Sequence, residues 1–156
     1  MYKMNPDLIE RMYLDHKKTV YQICLILLKN KQDAEDAMSE VFMRLFKSGK
    51  TFESFEHEKA WLITVAKNIC FSSFRNFWRK VKSLDSVKDV SDIIKTDETL
   101  LLVVKLPKIQ RIAVYLYYYA GYSIEEMSKI INVKENTLKS HLRRARQNLK
   151  LEMENG

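Results

Sequence analysis

Turn-forming residues are scarce, with three glycines and two prolines in 156 residues. So few breakers argue against a many-stranded sheet and favour long helices. Cysteine is scarce too. Cys24 and Cys70 each sit among apolar neighbours, which suits plain core positions. The three histidines, His16, His57 and His141, fall in separate contexts, and no closely spaced Cys/His set occurs. A zinc site is therefore not expected, no cofactor is implied, and an enzyme is the least favoured class, because no nucleophile or metal constellation surrounds these histidines. His16 lies on an apolar stripe and suits a buried or half-buried position better than a catalytic one. The apolar run Ile23–Leu28 is far too short to cross a bilayer, and no secretion signal precedes it. A cytoplasmic protein without stable membrane insertion is expected.

What is present is apolar patterning and positive charge. Hydrophobic residues make up 46% and charged residues 30%, enough apolar content for a folded chain. The net charge of +7 suits a polyanion, either nucleic acid or an acidic membrane surface, and does not choose between them. The charge is unevenly placed. Residues 1–80 hold 14 Lys and Arg against 10 Asp and Glu, residues 81–102 hold 3 against 5, and residues 103–156 hold 10 against 5. The acidic middle, where apolar periodicity also weakens, reads as a tether between two basic domains. The expected architecture is all-α: two small helical domains, 5–80 and 100–151, joined by a flexible linker over 81–99.

In the first domain, Ile9, Met12, Tyr13, His16, Val20, Ile23, Cys24, Leu27 and Leu28 recur at helical spacing. A turn at Asn30–Gln32 is expected next, then Asp33 as an N-cap with Glu35 and Asp36 in the first turn. Ala34, Ala37, Met38, Val41, Phe42 and Leu45 form the second stripe, ended by Ser48-Gly49-Lys50. A polar–aromatic loop, Thr51–Phe55, leads to a third helix with Leu62, Val65, Ala66, Ile69 and Ser73 inward.

In the second domain, Ile109, Ile112, Ala113, Leu116 and Tyr117 form a stripe that Gly121 is placed to end in a left-handed conformation. Ser123-Ile-Glu-Glu126 reads as a capping box opening a helix with Ile124, Met127, Ile130 and Ile131 inward. After a short turn at Asn132-Val133, Leu138, Leu142, Ala145 and Leu149 define the inner face of a last helix. The span Ser123–Arg146 thus has the layout of a helix-turn-helix, whose second helix enters the major groove by its N-terminal part. The outward residues are Glu135, Asn136, Lys139, Ser140, Arg143 and Arg144, with Arg146 and Lys150 extending the basic face. Asn and Arg suit base edges; Lys, Arg and Ser suit phosphates. The alternative is a solvated basic helix in a bundle.

The stretch Leu106-Pro107-Lys-Ile-Gln-Arg111, then Gly121-Tyr-Ser-Ile-Glu-Glu-Met-Ser-Lys-Ile-Ile131, then Asn136-Thr137-Leu-Lys139-Ser140-His-Leu-Arg-Arg144-Ala-Arg146, resembles the C-terminal domain of extracytoplasmic-function sigma factors in the sigma-70 family. The resemblance implies that Glu135, Asn136, Thr137, Lys139, Ser140, Arg143, Arg144 and Arg146 read the upstream promoter element near minus thirty-five. Asn136 stands where the family usually has Gly; Asn tolerates tight geometry, so a changed contact is expected there, not loss of the motif.

The first domain carries the same resemblance. Asp33-Ala-Glu-Asp36-Ala-Met-Ser-Glu40-Val-Phe-Met-Arg-Leu-Phe46 is similar to the family's polymerase-binding helix. It implies that Glu35, Asp36, Ser39, Glu40, Met43 and Arg44 dock on the clamp helices of the largest polymerase subunit. Ser39 replaces a frequent Gln. On pattern alone, a solvated face held by a Glu40–Arg44 pair serves as well. Ala60-Trp61-Leu-Ile-Thr-Val-Ala-Lys67-Asn68-Ile-Cys-Phe71-Ser72-Ser-Phe-Arg75 resembles the family's melting helix, with Lys67 in place of Arg and Ser72 where Asp is common. By that resemblance Phe52, Phe55, Lys67, Asn68, Phe71, Arg75, Trp78, Arg79 and Lys80 serve the minus-ten element. Aromatic stacking and phosphate contacts together suit a separated strand, with the loop Thr51–Glu56 helping to hold an extruded base.

The resemblance runs from about residue 7 to residue 150 and leaves no room for the inhibitory region and middle domain of larger members. It implies a transcription initiation factor whose partners are RNA polymerase core, promoter DNA and an anti-sigma factor, the last often holding such proteins at the inner face of the membrane. Tyr115, Tyr117, Tyr118 and Tyr119 suit either contact with that partner or the core. The competing class is a helix-turn-helix regulator that binds duplex DNA without polymerase. It differs in expecting tight binding to intact duplex by this chain alone.

Overall fold

The computed structural model describes residues 5–72 and 98–155, which fall into two compact units, one on each side of the undescribed stretch. The expected linker lies outside the described residues as far as 97; Glu98 already begins a helix. Every element among the described residues is helical.

The first unit is a three-helix packing of α1 (Pro6–Leu28), α2 (Lys31–Ser48) and α3 (Phe55–Cys70). Asn5 caps α1 by accepting the Asp7 N–H at 2.8 Å, with Pro6 in the first turn, where its missing N–H costs nothing. The C-terminal third of α1 is buried on every side, from Ile23 through Leu28, because both other helices pack on it. Tyr13, expected inward, is partly exposed and lays its ring edge-on against Phe42 of α2. Ile9, Met38 and Val65, also expected inward, are half-buried.

The turn before α2 is shorter than the sequence suggests. Lys29 takes the left-handed conformation at φ 58°, and α2 begins at Lys31. Its N-cap is Asn30, whose Oδ1 accepts the Asp33 N–H at 2.8 Å; Asp33 itself is buried in the first turn. Gly49, at φ 63°, closes α2, and the Ser54 hydroxyl caps α3 by accepting the His57 N–H at 3.1 Å. On α3 the inner face is Glu58, Leu62, Ile63, Ala66, Ile69 and Cys70; Ser73 lies outside the described residues. Both cysteines are buried and are not disulfide-bonded.

A polar cluster ties α1 to α3. Glu58 is buried and accepts from His16 Nε2 at 3.0 Å and from the Arg11 guanidinium at both carboxylate oxygens. His16 is 1% exposed, so its bond to Glu58 is the hydrogen bond that makes its burial tolerable. Burial pushes the Glu58 carboxyl up, but the hydrogen bonds and charges of Arg11 and His16 outweigh it, leaving the group below its ordinary range.

The second unit consists of α4 (Glu98–Val103), α5 (Lys108–Val114), a π-helical turn (Tyr115–Tyr119), α6 (Ile124–Ile131) and α7 (Glu135–Asn155). Ile112, Ala113, Val114, Leu116, Met127, Ile131, Leu138, Leu142 and Ala145 form its core. The π turn is a departure from expectation. The Ala120 N–H donates to the Tyr115 carbonyl, five residues back, at 3.0 Å. That extra residue slips the helical register, so Tyr117 leaves the apolar stripe for the surface while Tyr115 stays buried. Ile109, Ile124 and Leu149 are half-buried. Gly121 comes next, at φ 78°, a conformation that disfavours any residue with a Cβ.

Replacing Glu58 by Ala is expected to cost the first unit about 2 kcal/mol, because His16 loses its acceptor while the half-exposed Arg11 regains water. The pH dependence carries a sign. A depressed folded-state carboxyl stabilises above its unfolded value, near 4.5, and that increment is lost as pH falls through the folded value. Thermal unfolding from neutral pH down to acid should show a gap between parent and variant that narrows below that point.

Candidate functional site

The helix-turn-helix is built as its sequence implies. The Ser123 hydroxyl accepts the Glu126 N–H at 3.1 Å, and the Glu126 carboxylate accepts the Ser123 N–H at 3.0 Å. The Ser123 backbone N–H first, and the Ser123 side chain after it, hold the Glu126 carboxyl below its usual range. Asn132, at φ 54°, turns the chain into α7. Leu138, Leu142 and Ala145 bury one stripe of α7 against the rest of the unit. The orientation is locked further by Asn148, whose side-chain amide donates to Gln110 of α5 at 3.0 Å.

With that stripe fixed inward, the opposite stripe must face outward. Glu135, Asn136, Thr137, Lys139, Arg143, Arg144 and Arg146 are exposed, and Ser140 is half-buried. Lys139, Arg143, Arg146 and Lys150 recur at i, i+4, i+7 and i+11, which aligns four cations along one side of the helix. Among the described residues none of the four has a carboxylate partner. Half-buried His141 is held below its ordinary value by desolvation and by Arg144.

In the first unit, the expected polymerase-facing residues share the outer side of α2. Asp36, Ser39, Met43 and Arg44 are exposed; Glu35 and Glu40 are half-buried. Arg44 pairs with Glu40 at 2.9 Å, and Gln32 donates to Asp36 at 3.1 Å. Met43 is 53% exposed, and so nearly is Phe46 at 52%, one turn further on. Phe46 was not among the expected docking residues. A helix period alone leaves it ambiguous, because it directly succeeds the buried Leu45.

The aromatic loop and α3 form a third patch. Phe52 is half-buried, lying 5.5 Å from the His57 ring and 5.7 Å from the Trp61 ring, while Lys50 sits 5.9 Å over Trp61. Trp61 is thus neither core nor free surface. Phe55 is 48% exposed and rests on buried His16, with ring centroids 4.5 Å apart. Lys67 lies 5.3 Å over the half-buried Phe71, and Asn68 is exposed. Arg75, Trp78, Arg79 and Lys80 lie outside the described residues. Two rings and a nearby ammonium suit a base and its phosphate. Among the described residues no group of His, Cys, Asp and Glu could hold a metal ion, and no helix is long and apolar enough to cross a membrane.

Comparison with known proteins covers both units. Residues 12–87 match the family model for Sigma-70 region 2, and residues 96–149 match that for Sigma-70, region 4. The chain is 32% identical over 154 residues to the ECF RNA polymerase sigma factor SigM of Bacillus subtilis (strain 168), covering 91% of this chain and 93% of the relative. It is 27% identical to ECF RNA polymerase sigma factor SigX of the same organism, over 95% of this chain and 84% of that one. Among solved structures, the sigma factor RpoE from Bartonella quintana, in complex with the anti-sigma factor NepR, has a similar fold, with a TM-score of 0.72 at 23% identity. The match covers 93% of this chain and 96% of that one.

Replacing Arg143 by Ala is expected to weaken binding to duplex DNA about tenfold at low salt. Fluorescence anisotropy with a labelled duplex reads this directly, and unchanged affinity would count against α7 as the DNA-facing helix.

Proposed function

The chain belongs to the sigma-70 family of RNA polymerase sigma factors, in the extracytoplasmic-function group, and from that premise we propose how its two units divide the work. As a member it is a transcription initiation factor and not an enzyme: it binds RNA polymerase core and directs it to particular promoters. We assign core binding, minus-ten recognition and melting to residues 5–80, and minus-thirty-five recognition to residues 100–151.

The observation that carries this division is the basic stripe of α7, without a carboxylate partner among the described residues, on a capped helix-turn-helix. Major-groove reading by its N-terminal half falls to Glu135, Asn136, Thr137, Lys139 and Ser140, with Arg143, Arg144 and Arg146 further along. On α2, the mixed acidic and apolar strip of Glu35, Asp36, Ser39, Glu40, Met43 and Arg44 serves the clamp helices, and exposed Phe46 extends it. An apolar centre with a charged rim suits a specific protein interface. Phe52, Phe55, Lys67, Asn68 and Phe71 supply stacking and phosphate contacts for the opened strand, joined by Arg75, Trp78, Arg79 and Lys80.

The solved RpoE was captured with an anti-sigma factor. We infer that this chain also has such a partner, which would hold it inactive, at the inner face of the membrane if the partner is membrane-bound. The site of action is the cytoplasm, where polymerase and promoters are.

Run-off transcription with bacterial core polymerase on pooled genomic promoter fragments tests the reading. New discrete transcripts that need both proteins are expected. Their absence, combined with tight binding of this chain alone to duplex DNA, would point instead to an ordinary regulator. Glu40→Lys reverses one charge on the docking strip and breaks the pair with Arg44, at little cost to folding. It is expected to weaken binding to core about tenfold. Holoenzyme assembly at parental affinity would remove Glu40 from the docking face.

A further inference from the structure

The π-helical turn before the helix-turn-helix does more than end α5. Its extra residue swings Tyr118 to the surface, where it is 52% exposed, and aims it at α7. There Arg146 Nη1 donates to the Tyr118 hydroxyl at 3.1 Å. The Tyr118 ring is itself held by Tyr117, which meets it edge-on at 4.9 Å. A hydrogen bond between two exposed side chains contributes little to folding, because water replaces it readily. Its consequence is to fix a long, flexible cation in one direction before any partner arrives.

We propose that Tyr118 and Arg146 form a clamp for a backbone phosphate of duplex DNA, beside the C-terminal half of α7, with Tyr118 as the positioning residue for the guanidinium. The inference rests on α7 being the helix that lies on DNA. Arg146 stands on the same side as Lys139 and Arg143, about 10 Å further along the axis than Lys139. In a helix-turn-helix the first part of that helix meets base edges, so its later turns approach the sugar–phosphate backbone. The donor inventory fits a phosphate. Arg146 spends one of its five N–H groups on Tyr118 and has no carboxylate partner among the described residues. Tyr118 accepts from Arg146 and so keeps its own O–H to donate. Two converging donors of this kind match the oxygens of one phosphate, and neither selects a base.

The test is a salt titration of the full chain against mixed-sequence duplex DNA, with Tyr118→Phe, Arg146→Ala, the double variant and Lys139→Ala. Tyr118→Phe keeps the ring and loses only the oxygen. It is expected to lower affinity about fivefold. It should also reduce the slope of log affinity against log salt toward that of Arg146→Ala, a change of up to about one, although no charge is removed. Combining the two substitutions should cost less than the sum of the two single effects. Thermal unfolding of Tyr118→Phe should match the parent. A merely structural tie would lower the unfolding temperature and leave the slope alone, and that result overturns the proposal. So does an unchanged slope in Tyr118→Phe while Lys139→Ala and Arg146→Ala both reduce it, or a reduction by Lys139→Ala alone. If Lys139→Ala also leaves slope and affinity unchanged, the reading of α7 as the DNA-facing helix fails first, and the clamp with it.

Discussion

Four cations lie along one side of α7, and they cannot spread apart, because Leu138, Leu142 and Ala145 fix the opposite side in the core. Like charges held in register repel one another and are eased by solvent, salt or a polyanion. Other elements of the second unit serve this placement. The Ser123–Glu126 box starts the preceding helix, Asn132 sets the turn, and Gln110 pins Asn148. The second unit is, in that sense, a mount for a charged helix face. On the proposed reading, the polyanion that meets it is a phosphate backbone.

The first unit solves a different problem. The role proposed for it needs exposed aromatic and apolar side chains, which a folded protein ordinarily hides. Phe55 is kept at the surface by resting on His16, which is held by Glu58, which is held by Arg11. Phe52 is fixed between His57 and Trp61. Rings positioned in this way have less freedom to lose when a base stacks on them. On α2, by contrast, the proposed docking strip mixes a paired Glu40 and Arg44 with bare Met43, so charge would orient a partner and apolar area hold it.

Much of this was legible in the sequence, and the reasons differ by element. The helix-turn-helix was visible because its determinants are local: a capping box, a glycine at a left-handed position and two amphipathic stripes. The α2 boundary was misplaced because Asn30 and Asp33 are both good caps, and the choice depends on Lys29 accepting a left-handed conformation, which its residue type does not signal. Burial of Glu58 was invisible because its partners lie more than 40 residues away in the chain. Tyr117 and Tyr118 were unreadable for another reason. An apolar stripe is read on a helical period, and a π turn breaks that period without a marker in residue type. The site proposed for the first unit rests chiefly on the family resemblance, since exposed aromatics and core aromatics share one composition.

The most direct check is to see where α7 lies on a promoter. A DNA-cleaving iron chelate attached through Gln147→Cys would sit on an exposed position of α7, and buried Cys24 and Cys70 would stay unlabelled in the folded chain. In holoenzyme rebuilt with core polymerase on a promoter recovered by run-off transcription, strand scission is expected in the upstream element near minus thirty-five and to require core. Scission elsewhere, or the same pattern without polymerase, would contradict the division of promoter reading between the two units.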